Sequence, residues 1–293
     1  MTYLFIVNPV AGRNNGKKAI AFINQVMGNR GLNYNIIVTE KPGDAKLLAE
    51  EAALTSVDVI VAVGGDGTVN EVFNGMINSN KILGIVPAGT GNDLARALHL
   101  PLSMDKAVEF IISENYLNVD VGKLNGQLFL NIASIGLDAV IAEEANKIKR
   151  FISSKYSYVL ALLKGLIIFK SKKIKIRIDE IEIEKDVMLV AICNAICYGG
   201  GMKIAPNAKV NDGLFDICIV NKMSKLKLLY LFPTIFKGEH IKFKEVEIFR
   251  GQFVEIKSEE NLSINVDGEV INHNPIEFKI INEAIKVIGK LSE

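Results

Sequence analysis

Cysteine is scarce in this chain, and neither sign of charge is in excess. Its three cysteines, Cys193, Cys197 and Cys218, each lie inside an apolar run. An odd number without zinc-type spacing leaves no disulfide framework or metal cage, so they read as reduced core thiols. The three histidines, His99, His240 and His273, fall in different segments. They make no metal-ligand pattern, and each is expected at the surface or a boundary. Thirty-four lysines and arginines balance thirty-three acidic residues, so the net charge of +1 gives no global field toward nucleic acid. Long polar or Pro/Ser-rich tracts are absent, which argues against disorder. There is no repeat of fixed period and no GxSxG nucleophile elbow. A membrane span needs roughly 20 apolar residues. The most apolar stretch, Tyr156 to Phe169, is shorter and contains Lys164. The start runs into "YLFIVNP" without the basic flank and cleavage site of a secretory leader, so a cytoplasmic location is expected.

What is present describes a folded protein: 293 residues, 49% hydrophobic and 23% charged, a length that suits two domains. Early apolar runs, "LFIVNP", "NIIVTE", "VIVAVGG" and "ILGIVPAG", alternate with helical patterns at about Gly16 to Gly28, Gly43 to Leu54 and Val69 to Ile77. Continuous strands between amphipathic helices mean βαβ units, and hence a doubly wound α/β domain on a parallel sheet. After about Asp120 the texture changes. "IKIRIDEIEIE" alternates almost strictly, as an antiparallel strand with one wet face does, and further strand-like segments follow. Residues 121–280 are therefore expected to form a second, mostly antiparallel β domain, and 1–120 the first, with the segment from about 281 to 293 packing back on it. Helical patterns from about Ala139 to Leu163 and Ser224 to Phe236 interrupt the strands.

Ligands of open α/β sheets bind beyond the carboxyl ends of the strands. Three unusual turns lie there: "NPVAGRNNG", "GGDGTVNE" and "PAGTGNDLAR". Glycine lets main-chain amides converge on an anion, and a helix N-terminus adds partial positive charge. Thr68 and Thr90 add hydroxyl donors. Neither GxGxxG nor GxxxxGK[ST] fits "GGDGT". Asp66 within it would repel phosphates unless Mg²⁺ lay between them, and Asp93 repeats the arrangement in the next turn. One glycine turn alone reads as structural. Three at one sheet edge, two with carboxylates, point to a nucleotide.

"GGDGTVNEV" followed by "PAGTGNDLAR" resembles the diacylglycerol kinase catalytic family, which includes bacterial lipid kinases and sphingosine kinase relatives. The likeness continues through "FLNIASIGLDA", "AICNAICYGGGMKIAPNAKVNDGLFDICIV", "FKGEH" and "NVDGE", over nearly the whole chain. It implies an ATP-binding α/β domain, a β-rich lipid-substrate domain, Mg²⁺ as cofactor and ATP as co-substrate. By motif position, Asn8, Pro9, Val10, Ala11, Gly12, Thr39, Gly64, Gly65, Asp66, Gly67, Thr68, Val69, Asn70 and Thr90 would contact ATP. Asp66, Asp93 and Asp120 match the acidic network around the nucleotide's Mg²⁺. Lys209, Asp212 and Leu214 match a second, structural Mg²⁺ site. The resemblance assigns the general base to Glu269 of "DGE". The residues alone read "SINVDGEVI" as a hairpin with a type I′ turn at Asp267 and Gly268, where Glu269 would otherwise be a solvated glutamate.

Phosphorylation of diacylglycerol to phosphatidic acid is the expectation, with transient contact at the membrane surface, no nucleic acid and a homodimer as a candidate assembly. "GLIIFKSKKIKIRI", with Lys170, Lys172, Lys173, Lys175 and Arg177, reads either as a lipid-facing patch or as the charged outer face of a strand. "SKLKLLYLFPTIF" reads either as a lipid-facing element or as a core helix. Phosphatidylglycerol, a sphingoid base, undecaprenol or NAD as acceptor stay open, as does a nucleotide-binding regulator without catalysis. NAD kinases share the "GGDGT" feature, but their downstream Gly-Ser-Thr-Ala-Tyr type motif is absent. After "DGE" comes "VINHNP" where many relatives have proline, which bears on the acceptor pocket.

Overall fold

The computed structural model describes residues 1–113, 115–141, 144, 164–166, 168–273 and 275–290, with only the main chain for His273. Two compact units emerge. The first comprises Met1–Val121, Gly199–Gly201 and the chain from Asn282 onward, and the second comprises Gly122–Tyr198 and Met202–Ile281.

In the first unit, strands β1 (Thr2–Val7), β2 (Asn33–Val38), β3 (Val59–Gly64) and β4 (Ile82–Pro87) are parallel in the order β4-β3-β1-β2. Helices α1 (Ala11–Asn29), α2 (Asp44–Ala53) and α3 (Asp66–Met76) connect them, followed by α4 (Asp93–Ala97) and α5 (Met104–Ile111). Alternate residues of the strands face opposite sides. Tyr3, Phe5, Val7, Val59, Val61 and Val63 pack against Ala19, Ile23 and Met27 of α1 and Val108 and Ile111 of α5. α2 packs with α3, closely enough that a Cβ on Gly75 would lie 2.3 Å from the Lys46 carbonyl oxygen. β3 is buried along its whole length, which explains its unbroken "VIVAV" run.

The second unit is built from antiparallel pairs. Its strands are β6 (Gln127–Phe129), β7 (Ile132–Gly136), β8 (Lys172–Ile178), β9 (Ile181–Cys193), β10 (Phe215–Asn221), β11 (Val246–Gly251), β12 (Phe253–Lys257), β13 (Leu262–Val266) and β14 (Glu269–His273). The path β14-β13-β7-β9-β8-β12 is antiparallel throughout, and β10 pairs with β9 and β11. Two strands run on past the unit's limits: β5 (Tyr116–Leu124) and β15 (Ile276–Ile288). The start of β15 pairs antiparallel with β12, and its end pairs parallel with β4.

One face of the second sheet closes over a core of Ile174, Ile176, Ile178, Phe215, Val254 and Phe278, with the Phe129 ring stacked 5.9 Å from Phe215. Strict alternation in β8 follows, since every second residue enters that core. Lys173, Lys175 and Arg177 on its other face pair with Glu184, Glu184 and Glu255, and Lys172 at the start of the strand pairs with Glu260. These acids offset the basic stripe read from the sequence. The opposite face of β9 and β10 is covered by helix α6 (Lys225–Leu231) and a 3-10 helix (Phe232–Lys237). Pro233 at the start of the latter has no N–H to continue an α-helical ladder, so the single helix predicted from Ser224 to Phe236 splits here.

The helical stretch predicted from Ala139 lies mostly outside the described residues, as does most of Tyr156 to Phe169. Among the described residues no helix is long and apolar enough to cross a membrane. All three cysteines are buried and none is in a disulfide. His99 is exposed, but His240 is fully buried, contrary to the surface or boundary position expected for it. Its Nε2 donates to the carbonyl of Ile204 at 3.0 Å, which meets part of the cost of burial.

Candidate active site

Because β1, β3 and β4 are parallel neighbours, the loops that follow Val7, Gly64 and Pro87 leave one edge of the sheet together. They surround a cleft of about 470 Å³ lined by residues 8–12, 39–42, 45, 65–68, 71 and 89–91. That volume lies within the range of about 300–1,000 Å³ usual for small-ligand sites.

Side chains and bare backbone lock these loops to one another. Asn8 Nδ2 donates to Thr68 Oγ1 at 3.0 Å, tying the first loop to the second, while Asn8 Oδ1 accepts the Val10 N–H at 3.2 Å. Gly12, Arg13 and Asn14 all have positive φ, so the chain coils left-handed before regular helix begins. A Cβ on Gly12 would also lie 2.0 Å from the Ala88 carbonyl oxygen. The second and third loops touch backbone to backbone, since a Cβ on Gly89 would lie 2.4 Å from the Gly65 Cα. Only glycine permits that approach.

Asp66 clamps the third loop. Its Oδ2 accepts the Asn92 N–H at 2.8 Å and its Oδ1 the Asp93 N–H at 2.6 Å. Asp93, buried at the start of α4, accepts the amides of Gly200 at 2.9 Å and Gly201 at 2.8 Å. Burial raises its pKa, the Gly200 amide lowers it, and the nearby Asp66 charge raises it again, with a net upward shift. Asp120 is buried on β5, where it accepts the Glu283 N–H at 2.7 Å.

Of the nucleotide residues expected from sequence, Asn8, Pro9, Val10, Ala11, Gly12, Thr39, Gly65, Asp66, Gly67, Thr68 and Thr90 line the cleft. Gly64, Val69 and Asn70 do not. Gly64 is buried behind the Thr68 side chain, Val69 is buried, and Asn70 Oδ1 accepts from Asn74 at 2.9 Å. Sequence reasoning missed Lys41, Glu71, Gly89 and Gly91, which also line the cleft. Lys41 and Gly89 lie in the loops just after β2 and β4, so their position near strand ends was the available signal.

Glu269 belongs to the second unit and is exposed at a hairpin tip, where it closes the β13–β14 ladder opposite Val266. Asp267 and Gly268 both have positive φ, as a type I′ turn requires. Asp267 fixes that turn: its carboxylate accepts the amides of Leu130, Asn131 and Ile132 at 2.9, 3.1 and 3.0 Å.

The second unit also holds an apolar cavity of about 60 Å³ lined by Leu137, Ile141, Leu166, Met188, Leu231 and Ile235 among others. Asp138, Tyr198 and His240 supply its polar lining. Asp138 accepts from Ser134 Oγ at 2.5 Å and Asn265 Nδ2 at 2.8 Å, and burial pushes its pKa up. His240 Nδ1 is buried without a hydrogen-bond partner among the described residues.

Among the described residues no three His, Cys, Asp or Glu side chains converge as a metal cage. The place of the implied structural ion has a different occupant. Asp212 Oδ1 accepts the Leu214 N–H at 3.2 Å, and its Oδ2 pairs with the Arg250 guanidinium, which also lies 3.6 Å from buried Asp216. With a guanidinium already meeting this charge, Lys209, Asp212 and Leu214 do not fit a divalent cation in this arrangement.

Residues 2–124 match the diacylglycerol kinase catalytic domain, and residues 131–289 match the YegS C-terminal NAD kinase beta sandwich-like domain. The chain is 34% identical over 296 residues to a diacylglycerol kinase of Bacillus subtilis, covering 97% of this chain and 94% of that protein. The chain belongs to the diacylglycerol kinase family. A diacylglycerol kinase of Staphylococcus carnosus is 32% identical over 285 residues, covering 96% of this chain and 93% of the relative. A crystal structure of a diacylglycerol kinase from Bacillus anthracis superposes with a TM-score of 0.79 at 26% identity, covering 99% and 97% of the two chains. As a member of this family the chain is a lipid kinase, a phosphotransferase with an alcohol acceptor.

Proposed function

We propose that the chain transfers the γ-phosphate of ATP to the hydroxyl of diacylglycerol, giving phosphatidic acid. The cross-locked glycine cleft carries this reading. Its amides, with Asn8, Thr68 and Thr90, offer donors to a triphosphate, and Lys41 adds positive charge.

Of the three acidic-network residues, Asp66 lines the cleft, and each of its oxygens retains a second acceptor direction beyond its amide. It is the residue that would hold a Mg²⁺ carried in on the nucleotide. Such an ion supplies charge neutralisation on the phosphoryl oxygens when bound. Asp93 and Asp120 act through main chain, Asp93 by fixing Gly200 and Gly201, and Asp120 by fixing Glu283. Glu269, on a turn pinned by Asp267, takes the hydroxyl proton as the lipid oxygen bonds to the γ-phosphorus. The bond to the β-phosphate oxygen then breaks, and ADP leaves.

The curated relatives' names point to diacylglycerol. Labelled ATP offered with diacylglycerol, phosphatidylglycerol, a sphingoid base, undecaprenol and NAD in mixed micelles tests the reading. Diacylglycerol is expected to take the label fastest, and label on NAD alone would overturn it.

A further inference from the structure

A hairpin tip in water has little to hold it, yet the turn that carries Glu269 is fixed from two sides. On one side the Asp267 carboxylate accepts the amides of Leu130, Asn131 and Ile132, and the Asp267 N–H donates to the Ile132 carbonyl at 3.1 Å. On the other, the Gly268 N–H donates to Asn265 Oδ1 at 3.1 Å. Gly268 and Glu269 are both exposed, so water was available to that amide. A side-chain partner in its place removes a freedom of the turn that folding alone does not require.

Asn265 reaches Gly268 from the interior. It is buried on β13, opposite Val270 of β14 and Ser134 of β7. Its Nδ2 donates to Asp138 Oδ2 at 2.8 Å, and the same oxygen accepts from Ser134 Oγ at 2.5 Å. Tyr198 bonds to the Asp138 side chain as well. Ser134, Asp138 and Asn265 are all buried, at a place where apolar side chains would leave no polar group to satisfy.

The sense of each bond fixes Asn265. A main-chain N–H only donates, so the oxygen end of the amide must face Gly268, and the NH₂ end then faces inward and needs an acceptor. Asp138 is that acceptor. Without it the NH₂ group is buried unsatisfied, and nothing holds the amide in the sense that Gly268 requires.

We propose that Asn265 is a positioning residue for Glu269, oriented by Asp138. The relay from Asp138 through Asn265 to Gly268 keeps the turn from swinging and so fixes where the Glu269 carboxylate stands when the acceptor hydroxyl arrives. It acts through the turn and not on the reacting atoms. The inference rests on Glu269 as the general base.

The test is a double-mutant cycle on the full chain, with labelled ATP and diacylglycerol in mixed micelles. Asn265→Ala is expected to lower kcat by about tenfold to a hundredfold, with KM for ATP and affinity for an ATP analogue within about twofold of wild type. In a Glu269→Gln background the same change should lower the residual kcat by less than about twofold, because no base is left to place. A residue that only stabilises the second unit would lower both backgrounds by the same factor. Asp138→Ala should reproduce the loss. Asp138→Asn should recover most of it, since its side-chain oxygen can still accept the Asn265 NH₂ group.

Equal losses in the two backgrounds overturn the proposal. So does a near-normal kcat for Asn265→Ala beside a low one for Glu269→Gln, an outcome that leaves the base standing. Near-normal turnover of Glu269→Gln removes the base and the relay with it. Asp138→Asn as impaired as Asp138→Ala would mean that the carboxylate's charge acts by itself, and the relay fails. If Asn265→Ala does not fold, the two Asp138 variants in both backgrounds decide by the same criteria.

Discussion

Replacing Gly89 with alanine strikes the contact on which the cleft's shape depends. The added Cβ would sit 2.4 Å from the Gly65 Cα, 2.9 Å from Asn92 Oδ1 and 3.1 Å from the Gly65 nitrogen. Two of those neighbours are main chain, so no side chain can swing aside to relieve them. Ordinary carbon–carbon contact lies at about 3.5 Å, and the two loops must therefore part by about 1 Å. A misplacement of that size commonly costs up to about a hundredfold where geometry decides binding or reaction. Gly89→Ala is accordingly expected to raise the dissociation constant for a fluorescent ATP analogue by about tenfold to a hundredfold. Gly28→Ala provides the comparison, because a Cβ there meets nothing within 4 Å. It should bind nucleotide as wild type does. An affinity within twofold of wild type for Gly89→Ala would refute the claim that loop contact at Gly65 and Gly89 shapes the nucleotide site.

Asp66→Asn exchanges a carboxylate that accepts two amides for a group that turns an NH₂ toward one of them. The local cost is about 1.5–3 kcal/mol, and hydrogen exchange at the Asn92 and Asp93 amides should accelerate; unchanged protection would contradict the clamp. Glu269→Gln should lower turnover by about 10²- to 10⁴-fold and leave ATP-analogue affinity unchanged, and near-normal turnover would remove it as the base. His240 has its pKa lowered, chiefly by burial, from the ordinary 6.5. Below pH 6.5 the unfolded chain therefore binds a proton that the folded chain resists, and stability falls with acid by up to about 1.4 kcal/mol per pH unit. Buried Asp93 and Asp138 work in the opposite sense above pH 3.8, since they hold protons more tightly when folded. The difference between wild type and His240→Gln isolates the histidine: the variant's thermal midpoint should fall less between pH 6.5 and 5, and parallel curves would contradict its burial as a neutral group.

The first unit was legible because burial on both sheet faces writes itself as unbroken apolar strands such as "VIVAV", and because tight strand-to-helix turns need glycine. The alternation in β8 was legible for a related reason, as one face enters a core and the other carries Lys–Glu pairs. What could not be read were contacts set by loops distant in sequence. Asp66 reads as a residue facing phosphates, yet its oxygens hold amides 26 and 27 residues away. Asp93 depends on Gly200 and Gly201, 107 and 108 residues on, which no local pattern announces. Arg250 next to Asp212 and Asp216 arises from the β10–β11 register, which sets Arg250 directly opposite Asp216. The burial of His240 follows from how a short 3-10 helix (Glu239–Lys242) folds back near Ile204, a matter of packing rather than periodicity.

A crystal grown with a non-hydrolysable ATP analogue and magnesium tests the central claim most directly. The phosphates are predicted to lie against the loops at residues 8–12, 65–68 and 89–91, with Asp66 nearer the cation than Asp93 or Asp120. A nucleotide bound elsewhere on the chain, with those loops empty, would contradict the account.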